Sequence, residues 1–271
     1  MEVYVNEING FKDAICSLYL SKRNLTRDKE DDIRTICDQM IVQGSGEFVD
    51  LDDLFENMEF MNPDDAWTED DKNQLREVEK EFKTLIGKLT KYGKMHTTLL
   101  RYIDFSCSVY GLHRGAQDDF DAHAKRLENR IVRSSTRLAK YGPGEKSDFY
   151  ESKILTTDEV LDMIGIKMND SFEANGRTYV RTVNGYVQEE YKDDKDVLRG
   201  LYMLSIPSNF IFKCNIVEFA HIVAMRDKNS HAAPELRDMI EAILEQLNTM
   251  TRGMITREFL YEVERWRVDE E

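Results

Sequence analysis

Residues 196–238, DVLRGLYMLSIPSNFIFKCNIVEFAHIVAMRDKNSHAAPELRD, change periodicity twice, and these changes decide the fold. From Asn209 to Cys214 apolar residues alternate, with Phe210, Phe212 and Cys214 on one face and Ile211 and Lys213 on the other, as a half-buried strand requires. From Asn215 the period becomes helical, and Ile216, Phe219, Ala220 and Val223 form one apolar stripe. At roughly 100° per residue, Asn215 and Arg226 lie about three turns apart on nearly the same side. An amide and a guanidinium therefore look out from one edge of an apolar element. A second helix opens near His231 and buries Leu236, Met239, Ile240, Ile243, Leu244 and Leu247. Its first turn carries Glu235, which suits the positive end of the helix dipole.

Working outward, residues 101–110 alternate strictly, with Ile103, Phe105, Cys107 and Val109 on the buried face of a second strand. Upstream, residues 2–5 make a short strand, and helices follow at about 9–22, 27–42 and 69–92. The last of these puts Leu75, Val78, Phe82, Leu85, Ile86 and Leu89 on one face and ends at Gly93. The acidic stretch 46–71 reads as a solvated or partner-facing surface. Near the carboxy terminus, 255–267 forms a structural helix through Phe259, Leu260, Val263 and Trp266.

Between the two strands, the spacing predicts a helix over about 117–140. On it Arg126, Arg130, Arg133 and Arg137 recur as one basic stripe beside Phe120, Ala124, Leu127 and Ile131. Four guanidiniums on one face repel unless an anion lies across them, and arginine grips phosphate in a planar fork. Pairing with the acidic amino-terminal third, or with a neighbouring subunit, accounts for the stripe equally well.

Residues 145–195 form a separate unit. Thr156-Thr157-Asp158-Glu159 is a capping box that opens a short helix. Two Asn-Gly turns, Asn175-Gly176 and Asn184-Gly185, join three strands around Phe172, Tyr179-Val180 and Tyr186-Val187. A lid, a subunit contact and a neutral insertion are all open roles for this meander. The chain thus divides into 1–144, the inserted 145–195, and 196–271.

Composition narrows the function classes. A net charge of −15 repels a nucleic-acid backbone. The charge is uneven, with 21 acidic and 9 basic side chains in residues 1–80 but 5 acidic and 8 basic in 96–140. A local basic site in an acidic protein points to a small anionic ligand. No apolar run approaches the roughly 20 residues that span a bilayer, and the amino terminus does not read as a signal peptide, so a cytoplasmic protein without membrane contact is expected. Cys16, Cys37, Cys107 and Cys214 are scattered without metal-ligand spacing and read as small core residues. No nucleophile triad, metal motif or glycine-rich phosphate loop is legible, so an enzyme built from this chain draws its chemistry from a cofactor.

The polar residues of the opening stretch resemble the carboxy-terminal pattern of the flavin-dependent thymidylate synthases. Arg199, Asn215, His221 and Arg226, followed by His231, Ala232, Glu235, Leu236 and Arg237, occupy its places, with one residue added before His231. Ala233-Pro234 stand where Gln-Trp often follows. His96 and Thr98 resemble the family's His-x-Ser/Thr element. Ser135-Thr136-Arg137 and Arg114 resemble the ends of its Arg-His-Arg segment, whose central triplet is broken around His123 by Ala122 and Ala124. An insertion of about three residues reconciles the two ends, with Lys125, Arg126 or Arg130 in place of the missing arginines.

The resemblance implies an α/β fold with a mostly antiparallel sheet flanked by helices, to which the meander is an addition. It implies a homotetramer that uses FAD, NADPH and methylenetetrahydrofolate to methylate C5 of dUMP, without a cysteine nucleophile. Carried over, Ser135, Arg137 and Arg199 hold the nucleotide phosphate, and Arg226 contacts the pyrimidine and stabilises its developing negative charge. Asn215, His221 and His231 face the flavin, with His96, His123 and Arg126 as further cofactor contacts. Two alternatives accompany this reading. One is a relative acting on another pyrimidine nucleotide, for example by hydroxymethylation; the other is a non-catalytic scaffold that kept the fold.

Overall fold

The computed structural model describes residues 1–41, 68–90, 97–123, 130–135, 141, 145–182, 184–198, 201–226 and 233–270. The chain opens with β1 (Glu2–Asn9), α1 (Phe11–Ser21) and α2 (Arg27–Met40). Next come α3 (Glu69–Thr90), the single turn α4 (Thr97–Leu100), β2 (Asp104–His113), α5 (Arg114–His123) and β3 (Arg130–Arg133). The middle unit holds α6 (Thr157–Met163), the strands β4 (Ser171–Ala174), β5 (Arg177–Thr182) and β6 (Gly185–Gln188), and the single turn α7 (Lys195–Leu198). The last quarter runs through β7 (Pro207–Asn215), α8 (Ile216–Arg226), α9 (Pro234–Met250) and α10 (Arg257–Glu270).

Two antiparallel sheets result, a main one in the order β1-β2-β7-β3 and the meander β4-β5-β6. This is the α/β class with helix-flanked antiparallel sheet that the opening stretch implies. Alternation decides which face is covered. Phe105, Cys107, Val109, Phe210, Phe212 and Cys214 are all buried, whereas Tyr110, Ile211 and Val132 are exposed. Helices lie on the covered side: Phe219 of α8 meets Phe105 edge-on at 5.0 Å, and Phe120 of α5 meets Phe212 at 5.0 Å. Each such ring, fully buried, contributes about 1.5–3 kcal/mol from desolvation alone.

The helix α9 closes the β1 edge. The β1–β2 register slips between Val5 and Glu7, and there the Val5 N–H donates to Gln246 Oε1 at 2.8 Å. The Gln246 amide in turn donates to the Val3 carbonyl at 2.9 Å, so one side chain satisfies two backbone groups of this edge strand. Between β1 and α1 the chain turns at Gly10, with φ +89°. A Cβ there would sit 1.7 Å from the Tyr102 carbonyl oxygen, so only glycine lets the two segments touch.

Several sequence expectations meet the structure directly. The strand at 2–5 extends to Asn9. The capping box is present, with Thr156 accepting from the Glu159 N–H and Glu159 accepting from the Thr156 N–H. Asn175 and Gly176 take φ of 51° and 72°, the left-handed pair that a tight hairpin turn requires. All four cysteines are buried and unbridged. Burial pushes the thiols of Cys37 and Cys107 up to about 12. Gly93 and most of the acidic stretch lie outside the described residues.

The single helix expected over 117–140 is not there. Its first part is α5, which the structure ends at His123, while Arg130 and Arg133 lie on β3. Residues 130–133 pair with Phe210–Lys213 of β7, Arg130 opposite Lys213 and Arg133 opposite Phe210. In that pairing Ile131 turns toward the core while Val132 stays 76 % exposed. The ladder with β7 overrides the helical spacing, and the basic stripe as a helical face is withdrawn.

Candidate active site

The residues with chemistry converge where β2 passes into α5, beside the far end of α8 and the start of α9. The turn is built by backbone bonds. Arg114 N–H donates to the Ile206 carbonyl and Gly115 N–H to the Leu204 carbonyl, both at 2.9 Å, tying the start of α5 to the chain just before β7. Along α5, Asp118, Asp119 and Asp121 project as a carboxylate row, and three arginines from different elements reach it. Arg114 lies 3.2 Å from Asp118; Arg133 reaches Asp118 at 3.0 Å and Asp121 at 3.5 Å; Arg226 donates to Asp119 at 2.7 Å.

Arg226 is the most enclosed of the three, with its side chain 14 % exposed. One Nη donates to Asp119, while its Nε is buried with no hydrogen-bond partner among the described residues. The pairing fixes the guanidinium and leaves one of its donors unpaired among the described residues. A second such donor lies on α5, where Gln117 is fully buried. Its Oε1 accepts from Ser208 Oγ, and its Nε2 has no partner among the described residues. Ser134, just past β3, is bonded to Asn209 through both backbones and through its hydroxyl, and Ser135 follows it in the chain.

Beneath this cluster lies a buried pair that the sequence did not reveal. Glu235 accepts from the His113 backbone N–H at 3.1 Å and contacts the His113 Nδ1. Both side chains are almost wholly enclosed, with the Tyr150 ring edge-on to the imidazole at 4.9 Å. Glu235 does stand in the first turn of α9, but its partner is this histidine. A lone histidine closing an alternating strand immediately before an arginine was the only available signal.

The remaining candidates sit apart. Asn215 does not belong to the helix; it closes β7 and caps α8, its Oδ1 accepting from the Glu218 N–H at 2.9 Å. It therefore stands a helix length, about 16 Å, from Arg226. His221 lies between them and faces α10, its Nδ1 3.0 Å from Glu264 and 3.2 Å from Arg267. Five residues turn it about 140° around the helix from Arg226, so the two do not face one space within this chain. Burial pushes the Glu264 carboxyl up, but hydrogen bonds from Arg267 and His221 outweigh it and hold the group below the ordinary carboxylate range. His123 ends α5. His96, Arg126, Arg137, Arg199 and His231 lie outside the described residues.

Among the described residues no helix is long and apolar enough to cross a membrane. Comparison with curated protein sequences finds no match. Among solved structures, the chain resembles thymidylate synthase X from Helicobacter pylori, solved with FAD and dUMP. That likeness has 13% identity and a TM-score of 0.49, and covers 96% of this chain and 100% of that one. It also resembles the UMP/dUMP methylase PolB from Streptomyces cacaoi bound with 5-Br dUMP, at 10% identity and TM-score 0.44, covering 93% of each chain. Residues 56–251, well over half of the chain, match the family described as thymidylate synthase complementing protein, and the chain belongs to that family, the flavin-dependent thymidylate synthases, as a divergent member.

Proposed function

We propose that the protein catalyses a flavin-dependent one-carbon transfer to C5 of a pyrimidine deoxynucleotide such as dUMP, with FAD as cofactor and NADPH and methylenetetrahydrofolate as co-substrates. The observation that carries this reading is Arg226, held by Asp119 with its buried Nε unpartnered among the described residues. A fixed guanidinium of this kind suits a pyrimidine ring that gains negative charge as its C5 becomes nucleophilic. Ser135, Arg137 and Arg199 supply the nucleotide phosphate contacts in this reading.

The residues present also fit a flavin. His221 turns Nδ1 to Glu264, so its Nε2 is the ring nitrogen left for a ligand, on a side chain 21% exposed. Asn215, His231, His96, His123 and Arg126 are the other proposed contacts. The chemistry a flavin supplies when bound is hydride transfer. This chain's own residues orient the nucleotide and carry the charge it develops. Because Arg226 and His221 point to different sides of α8, the reading requires that a second copy complete each site. The open sheet face, where Tyr4, Tyr110, Ile211 and Val132 are exposed, offers a surface for the proposed homotetramer.

One observation favours a second reading. Arg114 and Arg133 are matched within the chain by Asp118 and Asp121, which lowers the positive potential a nucleotide phosphate would meet. A non-catalytic scaffold would tolerate this.

The test is the visible spectrum of the purified protein before and after FAD and then dUMP. Flavin bands that shift on adding dUMP, with the shift lost in Arg226→Ala, are expected. A protein that binds no flavin and forms no product from dUMP overturns the synthase reading.

A further inference from the structure

A cavity of about 550 Å³ lies between the meander and the chain leading into β7, among residues that the proposed reaction does not use. Val180, Leu198, Leu201 and Tyr202 give it apolar and aromatic walls. Arg181 of β5 lines it and is only 2% exposed, which makes it the largest fully enclosed side chain among the described residues. One Nη donates to the Asp158 carbonyl at 3.1 Å, to the Asp158 carboxylate at 2.5 Å and to Asp162 at 3.0 Å. Its Nε and its other Nη are buried with no hydrogen-bond partner among the described residues.

A buried guanidinium with idle N–H groups is costly, and those groups gain most from an acceptor that enters the cavity. The charge decides which acceptor. Asp158 and Asp162 already more than match the single positive charge of Arg181, and Glu189 and Asp193 also line the cavity, against Lys192 alone among the described residues. A phosphate dianion would therefore enter a neutral to negative space. A carbonyl oxygen, or at most a single carboxylate, accepts the same hydrogen bonds without that repulsion. Apolar and aromatic walls around a few directed polar groups are the usual form of a small-molecule site.

We propose that this cavity is a binding site, separate from the nucleotide site, for a small flat molecule that presents a carbonyl-type oxygen, from an amide or a carboxylate, to Arg181. The site is shared between the 145–195 unit and residues 198–202, and gives that unit a ligand-binding role.

Saturation-transfer NMR on the full-length protein tests this with benzamide and benzoate as probes and phenyl phosphate as the dianion control. Transfer to benzamide or benzoate is expected, and the stronger of the two tells amide from carboxylate. Leu201→Trp, which fills the cavity without touching the ion pairs, should weaken binding at least tenfold. Arg181→Gln should do the same if it folds, and Arg226→Ala should bind as the wild type does. The proposal is overturned if neither probe binds, if Leu201→Trp binds them unchanged, if Arg226→Ala abolishes binding, or if phenyl phosphate binds more tightly than both.

Discussion

Arg226, at the end of α8, donates to Asp119, in the middle of α5, across 2.7 Å, although the two residues stand more than a hundred positions apart in the chain. The bond fixes a guanidinium that has an unpartnered buried donor among the described residues. Asp119→Asn should therefore impair dUMP use with little effect on flavin binding. We expect kcat/KM for dUMP to fall roughly 10-fold to 100-fold, equivalent to about 1.4–2.7 kcal/mol. Steady-state kinetics beside a flavin titration checks this. Unchanged kinetics would show that Arg226 needs no anchor.

Removing the buried carboxylate under the site should hurt stability more than activity assays alone would reveal. Glu235→Ala leaves both the His113 backbone N–H and its imidazole without their partner in an almost dry setting. A loss of about 3–5 kcal/mol in urea unfolding is expected, as for other broken buried pairs. A loss below about 1 kcal/mol would mean that water replaces the carboxylate.

The capping box of α6 makes a pH-dependent contribution. The Thr156 backbone N–H, the Lys146 ammonium and the Thr156 hydroxyl hold the Glu159 carboxyl at about 2, down from 4.5. Its folded value lies below its unfolded one, so the contribution is fully present above about pH 4.5 and is lost as pH falls toward 2. Unfolding midpoints measured from pH 6 down to pH 3 should fall less steeply for Glu159→Gln than for the wild type. Thr156→Ala should cost about 1 kcal/mol at neutral pH.

The thiols offer a simple check of packing. Burial holds Cys37 and Cys107 at about 12 and raises Cys16 as well. At pH 8 a thiol reagent should modify none of these three in the folded protein within minutes and all of them in urea. Rapid native labelling of Cys107 would contradict its place on the covered face of the sheet.

How far the sequence could be read depended on how local the deciding contacts are. β7, α8 and α9 follow from periodicities of two and 3.6 within short windows, and the meander from its Asn-Gly turns. The segment 117–140 was misread because its arginines and apolar residues happen to fall at helical intervals. What makes 130–133 a strand is a partner nearly eighty residues downstream, and β propensity depends on such neighbours. The same distance hid His113 from Glu235. Motif spacing singled out both Arg226 and His221, whereas the partners His221 meets appear only once α10 is docked on α8.

The strand order carries a consequence for how the chain is made. At the centre of the sheet, Cys107 stands opposite Val5 on one side and Phe212 on the other. Both pairings close loops of roughly a hundred residues, an entropic cost that slows folding. During synthesis β2 therefore waits with an open edge until residues 207–215 leave the ribosome, while the meander, closed by tight turns, can form at once. A nascent chain stopped after the meander should hold a folded hairpin unit beside an amino-terminal half still open to proteases, and β7 is the piece whose arrival completes the main sheet.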